Sequence, residues 1–232
     1  MSDQEYTSIF MDFKFNKLFP KIDELNLTTS RIYNADQSGL LFNKLPSHVF
    51  VKKESAKTAR GCKRMKSKDR ITMMIAIAAN GDKLPLAVVG KTKNPRCFKL
   101  KPSPLPYTHE KNAWFTQTIT VWWILNVFWP YHLKYHGDVN ALLLLENCSA
   151  HKDLDQPSVC KQFLIPDKCH IMFLPPNTTS RMQPADMGII ATMKVGYKLK
   201  LLQELLVVYD QEDSTFDQIV EQRKNNLLVV KV

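Results

Sequence analysis

Apolar and polar positions along this chain fall into blocks that predict a mixed α/β domain. Residues 1–30 mix aromatics, Lys and Asp without strand alternation, which predicts a helical lead-in. Arg31 to Asp36 (RIYNAD) predicts a short strand that ends on a carboxylate, and residues 38–50, with Gly39 and Pro46, predict a turn and irregular segment. Ile71 to Ala79 (ITMMIAIAA) is an apolar run of strand length. Asn80-Gly81-Asp82 follows as a hairpin turn, because Asn and Gly tolerate positive φ, and Leu84 to Val89 supplies the returning strand.

Residues 91–112, rich in Lys and Pro, predict loop. Thr116 or Thr118 caps a helix reaching about Tyr135, with Trp122, Trp123, Leu125 and Phe128 among its apolar positions and a kink or early stop at Pro130. Ala141 to Leu145 (ALLLL) is apolar at every position, as in a central parallel strand, and it ends at Glu146. A short helix is expected within 147–168, a buried strand over Cys169 to Leu174, and a stop at Pro175-Pro176-Asn177. A further helix starts near Asp186 and runs to about Val208. The resulting division is a lead-in (1–30), a main domain (31–208) and a tail of helical character (209–232).

Composition narrows the class. With 232 residues, 44% of them hydrophobic and 23% charged, the chain is long enough to bury a core without a disulfide or metal staple. Five scattered cysteines without a CxxC pair fit a reducing compartment and argue against a zinc site. The N-terminus lacks a basic start followed by an apolar run, and the apolar stretch Trp114–Trp129 is interrupted by Thr116, Gln117, Thr118, Thr120 and Asn126. No secretory signal and no membrane partner are therefore expected. The formal net charge of +10 favours a polyanionic partner. Nine cations between Lys52 and Arg70 concentrate that charge, opposed only by Glu54 and Asp69.

Three carboxylates stand where chemistry would place them. Asp36 ends the first strand, Glu146 ends the fourth, and Asp186 opens a helix after the fifth. Taken singly, each fits an ordinary strand end or helix cap. Converging together, they repel unless a divalent cation neutralises them, and Mg²⁺ prefers such oxygen donors. Two ions about 4 Å apart can activate an attacking oxygen and stabilise a leaving oxygen in phosphodiester cleavage.

NADQSG (34–39), KDRITMMIAIAANGDKLPLAVVGK (68–91), LLLLENCSAH (142–151) and LPPNTTSRMQPADMG (174–188) occur in that order. Together they resemble the DDE domain of pogo/Tigger transposases, a group that includes the jerky and centromere-protein-B relatives. The resemblance covers about residues 20–200. It implies a ribonuclease-H-like fold, with three antiparallel strands and two further parallel strands flanked by helices. It also implies DNA cleavage and joining with Mg²⁺ or Mn²⁺ held by Asp36, Glu146 and Asp186, with Asn147 and His151 in supporting positions. Lys52, Lys53, Lys63, Arg64, Lys66, Lys68 and Lys91 are the expected DNA contacts, mainly to the phosphate backbone.

This sequence departs from the family pattern in two residues. The second acid is Glu146 where the family has Asp, and Gln37 follows the first acid where the family has Glu. Family members also carry helix-turn-helix domains before the DDE domain, and the 35 residues before Asp36 do not accommodate one. These departures point to a nuclear, transposase-derived nucleic-acid-binding domain with weak or lost catalysis. The alternatives are an active Mg²⁺- or Mn²⁺-dependent endonuclease or strand transferase, and a truncated protein-interaction relic. A homodimer is the expected assembly if the chain self-associates.

Overall fold

The computed structural model describes residues 2–42, 70–99, 102–176 and 178–211. The tail beyond 211 and all of the expected DNA contacts except Lys91 lie outside the described residues. Six strands form one sheet: β1 (Ile32–Leu41), β2 (Arg70–Ala78), β3 (Ala87–Gly90), β4 (Tyr107–His109), β5 (Ala141–Leu145) and β6 (Cys169–Phe173). Their order across the sheet is β4-β3-β2-β1-β5-β6. The first three strands are antiparallel, while β5 runs parallel to β1 and β6 parallel to β5, as expected from the sequence. β4, parallel to β3, adds a strand inside a segment whose composition predicts loop.

The first strand is longer than the sequence predicts. It pairs with β2 from Tyr33↔Ala78 through Leu41↔Arg70, so Ser38, Gly39 and Leu40 are strand and Asp36 lies mid-strand. The partner ladder supplies hydrogen bonds that override the weak strand preference of Ser and Gly. The hairpin turn forms as expected, with Gly81 at φ +94° and Asn80 Oδ1 accepting from the Asp82 N–H. The returning strand starts later than expected, at Ala87, after an isolated bridge between Ile77 and Lys83.

Period-2 alternation divides β1 between two layers. Tyr33 and Ala35 join Met74, Ala76, Leu143 and Leu145 on one face. That face is covered by α2, which runs through Gln117–Trp123, a π-helical turn Ile124–Phe128 and Trp129–His136. The short helix α3 (Pro157–Gln162) packs Val159 and Cys160 against the same layer. On the other face, Leu142 and Leu144 meet Phe13 and Met182. Phe13 closes the first part of α1 (Asp3–Phe13), which continues through a π-helical turn, Lys14–Leu18, into Phe19–Glu24. Met182 ends the short helix α4 (Thr179–Met182). The long helix α5 (Ile190–Gln211) follows, and its Ile190 packs with Ile75.

Thr116 caps α2, as the sequence indicates, accepting from the Ile119 N–H. Pro130 does not end the helix. A proline lacks the N–H and its ring clashes with the carbonyl four residues back. The wide turn ahead of it carries an i→i+5 bond from Trp129 N–H to the Ile124 carbonyl. Pro20 in α1 is handled the same way, with Phe19 N–H reaching the Lys14 carbonyl. Such π-turns accommodate the ring without a break.

At the centre of the core, the Tyr33 hydroxyl lies 3.1 Å from His132 Nδ1, and His132 Nε2 lies 3.0 Å from the Val139 carbonyl. The carbonyl can only accept, so Nε2 carries the proton and Nδ1 accepts from the tyrosine. Tyr33→Phe would leave that nitrogen buried and unpaired. A loss of about 1–2 kcal/mol in unfolding free energy is expected by urea denaturation, and an unchanged midpoint would contradict this assignment.

Candidate functional site

The geometry begins with a buried side chain next to the first acid. Asn34 donates to the Leu144 carbonyl at 3.1 Å and to Gln183 Oε1 at 2.7 Å. Its own Oδ1 accepts from the Ala185 N–H at 3.1 Å. Gln183 returns a bond to the Ala35 carbonyl at 3.3 Å. Both amides are buried. One network thus ties β1, β5 and the segment ahead of α5 together. Asn34 and Gln183 each belong to a sequence motif, but their pairing is invisible along the chain. Nothing in one sequence shows which two amides, 149 positions apart, will meet.

This clamp positions the three acids. Asp36 points to the same face as Asn34, two residues on. The parallel register runs Ile32↔Leu142 to Asn34↔Leu144, and continuing it by two residues sets Asp36 level with Glu146. Adjacent strands lie about 4.8 Å apart. Asp186 follows Ala185 directly, in a kinked turn where Gly188 has φ +112°. It lies before α5, whose first helical residue is Ile190. The expectation that Asp186 opens the helix is corrected by this kink, in which Met187 and Gly188 are non-helical.

Electrostatics show that the acids sense one another. Asp36 is 4% exposed, and its carboxyl is raised to about 7. Burial is the main cause, and the negative charges of Asp186 and Glu146 add to it. The Gln37 N–H, 2.7 Å from Asp36 Oδ1, partly offsets the rise. The surface ion pairs Lys21–Glu24, Lys168–Asp138 and Arg181–Asp3 involve none of the three acids. Among the described residues, no three acidic, histidine or cysteine side chains stand at metal-coordinating spacing. The three carboxylates are thus within electrostatic reach but not drawn together around one point. Their all-oxygen donor set matches the preference of Mg²⁺ and Mn²⁺.

The two supporting residues separate. Asn147 is exposed and lines a cleft of about 370 Å³ with Cys148, Ser149, Lys152 and Phe173. His151 is fully buried, and its Nδ1 lies 2.8 Å from the Glu146 carbonyl. Its Nε2 lies 2.6 Å from Gln37 Nε2. The carbonyl accepts, so Nδ1 carries the proton and Nε2 accepts from the Gln37 amide. Burial pushes this imidazole down, in keeping with the neutral form. A carboxylate at position 37 would present only acceptors to that same nitrogen and would favour a charged imidazolium. Gln37 and a neutral His151 therefore match each other. Lys91 is exposed just past β3, two strands across the sheet from β1.

Asn34→Leu, close in volume, would strand the Gln183 amide, the Leu144 carbonyl and the Ala185 N–H. Unpaired buried groups cost about 1–3 kcal/mol each before relaxation. A drop of about 3 kcal/mol in unfolding free energy is expected, with faster amide exchange at Ala185 and Asp186 in hydrogen-exchange measurements. Full protection of those amides would show that the clamp does not hold the segment.

Comparison with known proteins places this arrangement. Residues 68–229 match the family described as DDE superfamily endonuclease. The chain is 31% identical over 229 residues to human Tigger transposable element-derived protein 7, covering 93% of this chain and 39% of that protein. It is 30% identical over 174 residues to the human Jerky protein homolog, covering 72% of this chain and 29% of that protein. The chain thus spans two fifths or less of these curated relatives. The structure of the Mos1 transposase paired-end complex with left transposon end shares the fold, with a TM-score of 0.54 at 8% identity, over 96% of this chain and 60% of that one. The fold is ribonuclease-H-like, and the chain belongs to the DDE superfamily endonucleases, among which it is similar to the pogo/Tigger-type, transposase-derived proteins.

Proposed function

We propose that this domain is a transposase-derived, nuclear DNA-binding domain whose acidic site retains divalent-ion affinity but only weak phosphodiester chemistry. The observation that carries the reading is the placement of the buried Asp36 level with Glu146 across the β1–β5 register, with Asp186 directly after the Ala185 N–H that Asn34 holds. A buried acid with two acidic neighbours costs free energy when ionised, and a divalent cation would remove that cost. DNA as partner is supported by the formal net charge of +10 and by the structural likeness to Mos1 transposase in its complex with a transposon end. A second similar structure is the Mos1 mariner paired end complex with Mn, which supports the choice of ion.

Asp36, Glu146 and Asp186 would hold the ions, which supply activation of the attacking oxygen and stabilisation of the leaving oxygen. The chain's own contribution is placement. The Asn34–Gln183 clamp sets the approach of Asp186 to Asp36, and His151 fixes the backbone at Glu146 through its carbonyl. Glu146 carries its carboxylate about 1.5 Å further from the backbone than Asp would. Displacements of about 1 Å can cost about a hundredfold in rate, and the chemistry is weakened accordingly.

Supercoiled plasmid with Mn²⁺ tests the chemistry. The unaltered chain is expected to nick slowly or not at all, Glu146→Asp to nick at least about tenfold faster, and Asp36→Asn or Asp186→Asn to abolish nicking. Fast nicking that survives Asp36→Asn would sink the assignment.

Ion binding has a separate readout in pH. The folded carboxyl of Asp36 lies above its unfolded value of 3.8, at about 7, so the folded state binds the extra proton between those values. Its contribution to stability is greatest below the unfolded value and is lost as pH rises toward 7. Mn²⁺ competes with that proton. The rise in Tm with Mn²⁺ is expected to be several degrees at about pH 8, small at about pH 5.5, and absent in Asp36→Asn at both. Equal shifts at both pH values would refute ion binding at Asp36.

A further inference from the structure

Trp114 is 60% exposed, although its neighbours Ala113 and Phe115 are buried. Several groups hold this indole at the surface. Ala113 adopts φ +54°, an uncommon conformation for a residue with a Cβ. Its carbonyl accepts from the Thr72 hydroxyl on β2, and its N–H donates to the Glu110 carbonyl. The Glu110 carboxylate accepts from the N–H groups of Asn112 at 2.7 Å and Trp114 at 3.4 Å.

The Arg70 guanidinium packs over the Trp114 ring, with Cζ 5.9 Å from its centre. Its Nε is buried without a hydrogen-bond partner among the described residues. Gly39 makes room for it, since a Cβ at that position would lie 2.6 Å from Arg70 Nε. The glycine that closes NADQSG is thus a seat for an arginine. With Arg70 on one side, the exposed part of the indole offers a flat apolar surface beside a positive charge.

The surroundings select the occupant. Arg70 directly follows the segment that carries Lys52 to Lys68. Continuing the β2–β3 register from Thr72↔Val89 sets Arg70 level with the exposed Lys91, and Lys111 is exposed just before Trp114. Because β1 and β5 are parallel and β2 antiparallel to β1, this basic edge lies beyond Glu146 in the direction in which β1 and β5 run. An arginine-backed aromatic beside phosphate-binding cations is the arrangement on which unpaired bases stack. We propose that Trp114 is a stacking platform for an unpaired nucleobase of DNA bound along this end of the sheet. The proposal rests on the DNA-binding reading above and names single-stranded or locally opened DNA as its substrate class.

The Trp114 indole N–H signal in NMR and indole emission follow this directly, because Trp123 and Trp129 are buried and Trp122 is half-buried. A short oligothymidylate is expected to quench emission and shift the Trp114 signal, whereas a blunt duplex at equal phosphate concentration shifts it little. Trp114→Ala should weaken single-strand affinity on the order of tenfold and leave duplex affinity nearly unchanged. Trp114→Phe should keep part of the lost affinity, and unchanged circular dichroism controls for folding. If the unaltered chain retains DNA while the Trp114 signal stays put, or if Trp114→Ala weakens both DNAs equally, the platform is refuted and DNA binding stands. If neither DNA binds at low salt, both readings fall. Binding of an apolar peptide but not the oligonucleotide at Trp114 would also overturn the proposal.

Discussion

A pair of buried amides holds this site together. Asn34 and Gln183 lie far apart in the chain, yet between them they engage a carbonyl of β5, a carbonyl of β1 and the N–H just before Asp186. Inside a sheet–helix interface, each of these groups would be expensive to leave unpaired. Satisfying them together fixes where the chain packs against the sheet after α4. The acids are then set by their distance from the clamp: Asp36 two residues past Asn34, Glu146 two past Leu144, and Asp186 three past Gln183.

That rigidity has an electrostatic consequence. A protein that only needed a strand residue would not bury an aspartate beside two other carboxylates, since each penalises ionisation of the first. The Gln37 N–H offsets part of that penalty, and on the proposed reading a bound cation would remove more of it. The neighbouring departure from the family is coherent in the same terms. Gln37 donates to a buried, neutral His151, which in turn donates to the backbone at Glu146. Removing the acid at position 37 therefore leaves a satisfied hydrogen-bond chain, with one negative charge fewer beside the site.

The position of the basic edge relative to the acidic cluster follows from strand direction. β5 ends beside the middle of β1, and the start of β2, where Arg70 pairs with Leu41, lies further along β1 in the same direction. On the proposed reading, cations along this edge would guide a polyanion toward carboxylates that otherwise repel it.

Much of this was readable along the chain. The apolar run ALLLL, the Asn-Gly turn and the Thr116 cap follow from local periodicity and turn chemistry, which act over a few residues. The motifs NADQSG and QPAD marked the acids and the family. The length of β1 was not readable, because Ser38 and Gly39 are strand only when β2 lies beside them. Nor was the strand inside 91–112, the π-turn that carries α2 past Pro130, or the kink that places Asp186 before its helix, although the reach of α2 to about Tyr135 was. The roles of Asn34, Gln183 and Gly39 were hidden for the same reason. Composition and periodicity report what each segment prefers alone, whereas a hydrogen bond across 149 residues, or a glycine emptied for a distant arginine, exists only once the sheet has brought the partners together.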